Sequence, residues 1–227
     1  MLVSCVFRLV FIYYRERSFG MILKALTVGF IATNCYIAGS GVSKRCLVID
    51  PGADAKSILK VVESAQLTIA MIVVTHSHFD HIGAVGSLKT ATGAKLAVGS
   101  GPGKQSPGAF VKLVAAMSGG SARIPEPDLF LKDGDKIDID DLHFEVLFTP
   151  GHSPDEISLY GHGVLFSGDT LFNAGIGRTD FPGCSYEQLE KSIKIKLYTL
   201  PDDTIVCPGH GPTTTIGNEK RGNPFIR

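Results

Sequence analysis

The chain has 227 residues, with 22 basic and 22 acidic side chains, so its formal net charge is zero and no run of like charge interrupts it. That balance argues against the basic face with which a nucleic-acid-binding domain collects phosphates. A hydrophobic content of 44% and 26 glycines suit one packed α/β domain with a sizeable core and many tight turns. Five cysteines, at 5, 35, 46, 184 and 207, form no CxxC pair and are odd in number. They read as free thiols in a reducing cytoplasm rather than as a disulfide framework.

Residues 1–20 are apolar but broken by Arg8. They are too short for a membrane span, which needs about 20 apolar residues. They also lack the basic start and small-residue cleavage site of a signal peptide. Residues 1–20 are therefore expected as an N-terminal extension outside the fold, most simply a start codon assigned too early, with a weak membrane-associating leader as the alternative; no stable membrane insertion is expected. The domain is expected over 21–227. Strands are predicted at 22–28, 34–38 and 45–49, the last closed by Asp50-Pro51-Gly52. Asp54 is placed to cap a helix carrying Ile58, Val61 and Val62 on one face. A fully apolar run, 69–74, reads as a buried strand and leads into Thr75-His76-Ser77-His78-Phe79-Asp80-His81. A helix over 82–91 and a strand over 95–98 follow. The Gly/Pro-rich loop 99–108, a helix over 109–117 and a second Gly/Pro-rich stretch to 128 form an excursion with the character of a substrate lid. Residues 138–141 read as a short solvated acidic turn. Strands are predicted at 143–148, 157–160 and 164–167. Ser185-x-x-Gln188 reads as a capping box opening a helix with Tyr186, Leu189, Ile193 and Leu197 on one stripe. A last strand is predicted at 204–207.

Three of the chain's seven histidines, His76, His78 and His81, fall within six positions together with Asp80. Imidazole and carboxylate are ligands for a borderline-soft divalent ion, with zinc as the default and iron or manganese as alternatives. No single helix or strand could aim four such side chains at one point, but a tight loop can turn its backbone between ligands. His76 and His78, two apart, can face the same way, while Asp80 and His81 lie further round the loop and aim at a neighbouring point. This pattern suggests two adjacent ions, of the kind that sit roughly 3.5–4 Å apart in hydrolytic sites. Two ions need further ligands. His152 in Pro150-Gly151-His152, Asp169 in Ser167-Gly168-Asp169 and His210 in Pro208-Gly209-His210 each follow a predicted strand and are flanked by Gly or Pro. His143 and His162 lack that context and read as surface or structural residues. Cys207, near His210, reads as a small buried hydrophobe.

The order His-x-His-x-Asp-His, then His, Asp and His, resembles that of metallo-β-lactamase-fold hydrolases, and most closely their short glyoxalase II-like, hydroxyacylglutathione hydrolase branch. Residues 175–183, Gly-Ile-Gly-Arg-Thr-Asp-Phe-Pro-Gly, are similar to a segment of that branch and of persulfide dioxygenases. Residues 208–219 and 223–225 are more similar to the short hydrolases. The resemblance spans about residue 21 to the end and implies a four-layer αββα sandwich. It implies one ion on His76, His78 and His152, a second on Asp80, His81 and His210, and Asp169 bridging. Asp80 and Asp169 would orient the attacking hydroxide. The implied substrate is a small-molecule thioester such as S-D-lactoylglutathione, whose thiolate leaves without a dedicated acid. Longer glyoxalase II enzymes grip glutathione with a basic C-terminal extension, so the carrier stays open here. Arg178 aligns with a basic residue that contacts the glutathione carboxylate, or else it pairs with Asp180. The competing readings are a single-iron persulfide dioxygenase using His76, His152 and Asp169, another lactone or ester hydrolase of this fold, and a metal-binding scaffold without catalysis. The oligomeric state is left open.

Overall fold

The computed structural model describes residues 9–10, 20–100 and 125–226. The first sheet runs in chain order through β1 (Leu9–Val10), β2 (Met21–Val28), β3 (Thr33–Ser40), β4 (Arg45–Ile49), β5 (Thr68–Val74), β6 (Lys95–Gly99) and β7 (Leu129–Leu131). Its first three pairings are antiparallel and its last three parallel. Parallel neighbours need crossovers, and α1 (Ala55–Ser64) and α3 (Val85–Thr92) supply two of them. The two faces of β4 and β5 are consequently both buried, which is why they read as unbroken apolar runs. Cys46, Val48, Ile72 and Val74 face Ile58, Val62, Val85 and Leu88 of the helices. Leu47, Ile49 and Val73 face the second sheet.

That second sheet has the order β15-β14-β11-β10-β9-β8. Its strands are β8 (Lys136–Ile139), β9 (Leu142–Phe148), β10 (Ile157–Gly161), β11 (Val164–Gly168), β14 (Ile205–Pro208) and β15 (Thr214–Thr215), while β12 (Leu171–Phe172) and β13 (Gly175–Ile176) make a small separate ribbon. Phe144, Val146, Leu159 and Phe166 fill the space between the sheets. On the outer face Leu165 and Val206 pack against Leu189 of α4 (Tyr186–Ser192) and against Ile193 and Leu197 of the π-helical turn Ile193–Leu197 that continues it. Helix, sheet, sheet, helix is the expected four-layer αββα sandwich. Phe166 is fully enclosed, with ring centroids 5.3 Å from Tyr36 and 5.9 Å from Phe144. Phe166→Ala is therefore expected to cost about 3–5 kcal/mol in denaturant unfolding, whereas a loss under 1 kcal/mol would mean the sheets close over the gap.

Several sequence expectations need correction. β7 and β8 were not predicted. Residues 138–141 are not simply a solvated turn, because Asp138 and Ile139 belong to β8. There Ile137 and Ile139 alternate into the inter-sheet core, and Asp140 in the tight turn faces Arg45 at 3.4 Å. The helix expected over 82–91 is two pieces, α2 (Phe79–Ile82) and α3, broken where Ala84 N–H donates to Pro51 O at 2.9 Å. Asp54 stands before α1 but does not cap it. Its backbone is left-handed and its carboxylate accepts from Gly29 N–H at 2.9 Å instead. The capping box is half formed: Ser185 Oγ accepts from Gln188 N–H, but Ser185 N–H donates to Gly151 O. Tyr186 leaves the buried stripe and is exposed, its hydroxyl donating to Phe225 O at 2.7 Å. The loop from 101, the helix over 109–117 and the lid reading lie outside the described residues. Among the described residues no helix is long and apolar enough to cross a membrane.

Candidate metal centre

All four segments that carry the candidate ligands leave the C-terminal ends of strands: His76 to His81 after β5, His152 after β9, Asp169 after β11 and His210 after β14. β5 belongs to the first sheet and the others to the second, so the site lies at the edge where the sheets meet. Thr75 fixes the loop. Its N–H and Oγ1 both donate to the buried carboxylate of Asp50, each at 2.7 Å, and its carbonyl accepts from Ile157 N–H across the sandwich at 2.9 Å. His78 is extended, and α2 starts one residue later. That change from extended to helical backbone carries Asp80 and His81 round to a second group, with the His81 ring centroid still 4.2 Å from that of His76.

Three imidazole nitrogens then converge. His76 Nε2 and His152 Nε2 each lie 2.9 Å from His78 Nδ1. His152 Nδ1 donates to the carbonyl of Arg178 at 2.9 Å, which fixes the tautomer and leaves Nε2 as a lone pair toward the other two. A second group forms beside it. His210 Nε2 is 3.2 Å and His81 Nε2 3.6 Å from Asp80 Oδ2. Asp169 stands between the groups, with Oδ1 3.5 Å from His81 Nε2 and Oδ2 3.6 Å from both His152 Nε2 and His210 Nε2. His76, His78 and His152 form one set, Asp80, His81 and His210 another, and within each the nearest donor atoms lie within 4.8 Å of one another. The structure thus brings together all seven side chains singled out from the sequence.

The electrostatics are those of a pocket built for positive charge. Burial, then the other histidines, pushes His76 well below the usual imidazole range and His78 down to about 4. Burial opposes ionisation of Asp80 and Asp169, but the surrounding imidazoles outweigh it and hold both carboxyls below their ordinary values. Burial likewise opposes charge on His81, yet Asp169 and Asp50 hold its pKa well above the usual one. His81 Nε2 and Asp169 Oδ1 are buried without a hydrogen-bond partner. Orphaned donor atoms of this kind, in an imidazole and carboxylate set, fit a pair of divalent cations.

Residues the sequence reading missed hold the candidate ligands in place. Asp50 Oδ2 faces His81 Nδ1 at 3.0 Å. Glu156, fully buried, accepts from Asp169 N–H at 2.7 Å and lies 3.5 Å from His76 Nδ1. Thr33 Oγ1 donates to Asp80 Oδ2 at 3.0 Å. Asp50 had been read as a strand terminator, and nothing in Asp155-Glu156 distinguishes a buried carboxylate from a loop charge. Glu156→Ala removes the acceptor of the Asp169 amide, so cation affinity is expected to fall about 10–100-fold in a chelator competition; unaltered affinity would make Glu156 a packing residue only.

The other candidates sit differently. The guanidinium of Arg178 is exposed, doubly bonded to Asp180 at 2.7 and 2.6 Å and stacked 3.8 Å over the Phe181 ring. Cys207 is buried among the inter-sheet hydrophobes, where burial raises its thiol. His143 is exposed near the start of β9, whereas His152 follows its end; its Nδ1 pairs with Asp138 at 2.7 Å and its N–H donates to His162 Nε2 at 3.0 Å. Cys35, Cys46, Cys184 and Cys207 are free thiols.

Residues 28–210 match the metallo-β-lactamase superfamily, and the chain belongs to that family. With its two His/Asp donor sets, it is a metal-dependent hydrolase of that fold. The hydroxyacylglutathione hydrolase GloC of Haemophilus influenzae is 37% identical over 91% of this chain and 98% of its own. Among solved structures, the BLEG-1 B3 metallo-β-lactamase superposes with a TM-score of 0.81 at 37% identity, covering 90% of this chain and 99% of that one. TTHA1623 in a di-iron-bound form superposes at 0.75 with 35% identity, covering 89% and 99%.

Proposed function

We propose that the domain over 21–227 is a binuclear thioesterase that hydrolyses hydroxyacylglutathione-type thioesters, S-D-lactoylglutathione first among them, with zinc as the resident cation. The observation that carries this reading is the pair of donor sets, His76/His78/His152 and Asp80/His81/His210, with Asp169 reaching toward both. Likeness to GloC supports the substrate class. When bound, paired divalent cations supply an acidified water and a Lewis acid for the carbonyl. The chain's own groups do the rest. Asp80 and Asp169, held ionised, accept and orient the protons of the attacking water. His152 presents its Nε2 because Arg178 O claims the other nitrogen. A thiolate is a good leaving group, so the departing sulfur needs no dedicated proton donor. Among the described residues no thiol competes as nucleophile: Cys35, Cys46 and Cys207 are buried, and Cys184 Sγ donates to the His152 carbonyl at 2.8 Å. Arg178, Asp180 and Phe181 form a charged, exposed rim beside His78, with the Phe181 ring centroid 6.4 Å from that of His78. We assign this rim to the thiol carrier. Free thiols at all four described cysteines suit work in the reducing cytoplasm. The single-iron reading leaves the Asp80/His81/His210 set without a purpose, which is why the hydrolase is preferred.

The test is hydrolysis of S-D-lactoylglutathione by protein of measured metal content. Turnover is expected to disappear with a chelator and return with zinc. One iron per chain and oxygen uptake with glutathione persulfide would replace the hydrolase with a dioxygenase.

A further inference from the structure

We propose that the cleft between the β2–β3 turn and α2 is the acyl subsite, and that it takes an aliphatic hydrocarbon chain; this rests on the thioesterase reading above. The cleft is a shallow groove open to solvent, with about 280 Å³ of space along it when the open side is included. Its walls are apolar, formed by Val28, Phe30, Ile31, Ala53 and Phe79. Its polar side chains are Thr33 and Asp80, joined by the Thr33 Oγ1 hydrogen bond, at the end that meets the second donor set. A group entering from the donor set therefore leaves polar surroundings for hydrocarbon within one side-chain length. The carrier-side rim at Arg178 and Asp180 has the opposite character, so a thioester with a charged thiol half and an apolar acyl half has one favourable orientation.

The turn is built to hold its apolar residues in water. Phe30 is 66% and Ile31 39% exposed. They do not collapse onto the core because the turn is pinned. Gly29 is left-handed and donates its N–H to the Asp54 carboxylate at 2.9 Å, and Ala32, also left-handed, donates to Gly29 O at 3.4 Å. Asp54 would serve α1 better as a cap, so its side chain is committed to the turn at the helix's expense. Large side chains held out beside a reactive centre bury apolar surface when a ligand covers them, worth about 0.8 kcal/mol per methylene fully enclosed.

The experiment measures kcat/KM for S-acetyl, S-propionyl, S-butyryl and S-hexanoyl glutathione beside S-D-lactoylglutathione, using metal-quantified wild type, Phe30→Ser and Asp54→Ala. In wild type kcat/KM is expected to rise about two- to fourfold per added methylene until the cleft is filled. In Phe30→Ser, and in Asp54→Ala where the turn is released, that slope flattens while two cations remain bound. A wild type that cleaves S-D-lactoylglutathione but shows no chain-length preference overturns the subsite and leaves the thioesterase standing, as does an unaltered slope in both variants. A wild type that cleaves none of the series overturns both.

Discussion

Asp80→Ala and His210→Ala are each expected to lower thioester turnover by about 10²–10³-fold and to leave one tightly bound cation per chain. Both side chains belong to the second donor set and to no other, with His210 Nε2 3.2 Å from Asp80 Oδ2. Removing either leaves two of the set's donors and a share of Asp169, which also faces His152 of the first set, a weakened site that should lose its ion to solvent. Lewis-acid stabilisation at a reacting carbonyl is worth several kcal/mol, and each 1.36 kcal/mol is about tenfold in rate, which gives the stated range. The first set should still load, because His76, His78 and His152 hold one another through contacts that do not involve Asp80 or His210. Metal analysis and turnover read the two halves separately. His143→Ala, at an exposed imidazole on β9, is the control and should change neither. Unchanged turnover in both site variants would mean that one ion does the work.

Gly209→Ala is expected to do comparable damage with a single methyl group. A Cβ there would stand 2.2 Å from Asp169 Oδ1 and 2.7 Å from His81 Cε1, distances no real contact tolerates. The backbone cannot retreat readily, because Gly209 N–H donates to Gly168 O and its carbonyl accepts from Asn34 N–H, both at 2.7 Å. The Asn34 amide also donates to Pro208 O and Gly211 O. Asp169 and His81 must therefore move, and they belong to both halves of the centre. Loss of both cations and a drop in turnover of at least about 10²-fold should follow, since misplacing ligands by about 1 Å is that costly. Gly222→Ala, where an added Cβ meets nothing within 4 Å, should leave metal content and turnover as they were. If Gly209→Ala binds two cations normally, the close packing around Asp169 has no functional weight.

The candidate ligands were legible in the sequence because their context is local: His76 to His81 are crowded just past an apolar run, and His152, Asp169 and His210 each follow strand formers and then Gly or Pro. That arrangement is local, so Pro150-Gly151-His152 and Pro208-Gly209-His210 announce themselves. The residues behind the ligands are not local. Thr33 meets Asp80 across 47 positions and Asp50 meets Thr75 across 25, so nothing near Asp50 or Thr33 in the chain marks the contact. Glu156 is harder still, since only the closing of β10 against the Thr75 loop buries it. Apolar runs identified the central strands, whereas β8 escaped because Lys136-Ile137-Asp138-Ile139 is a short edge strand beside acidic residues. The Asp54 cap and the unbroken helix from residue 82 failed for one reason: tertiary hydrogen bonds, from Gly29 N–H to the Asp54 carboxylate and from Ala84 N–H to Pro51 O, outweighed local propensity. Arg178 offered two partners, and the structure shows its guanidinium on Asp180.

Anomalous scattering from crystals of the zinc-reconstituted protein tests the binuclear centre most directly. Two peaks are predicted, one within reach of His76, His78 and His152 and the other of Asp80, His81 and His210, with Asp169 beside both. A lone peak on the first set, or zinc bound away from these side chains, would contradict the account.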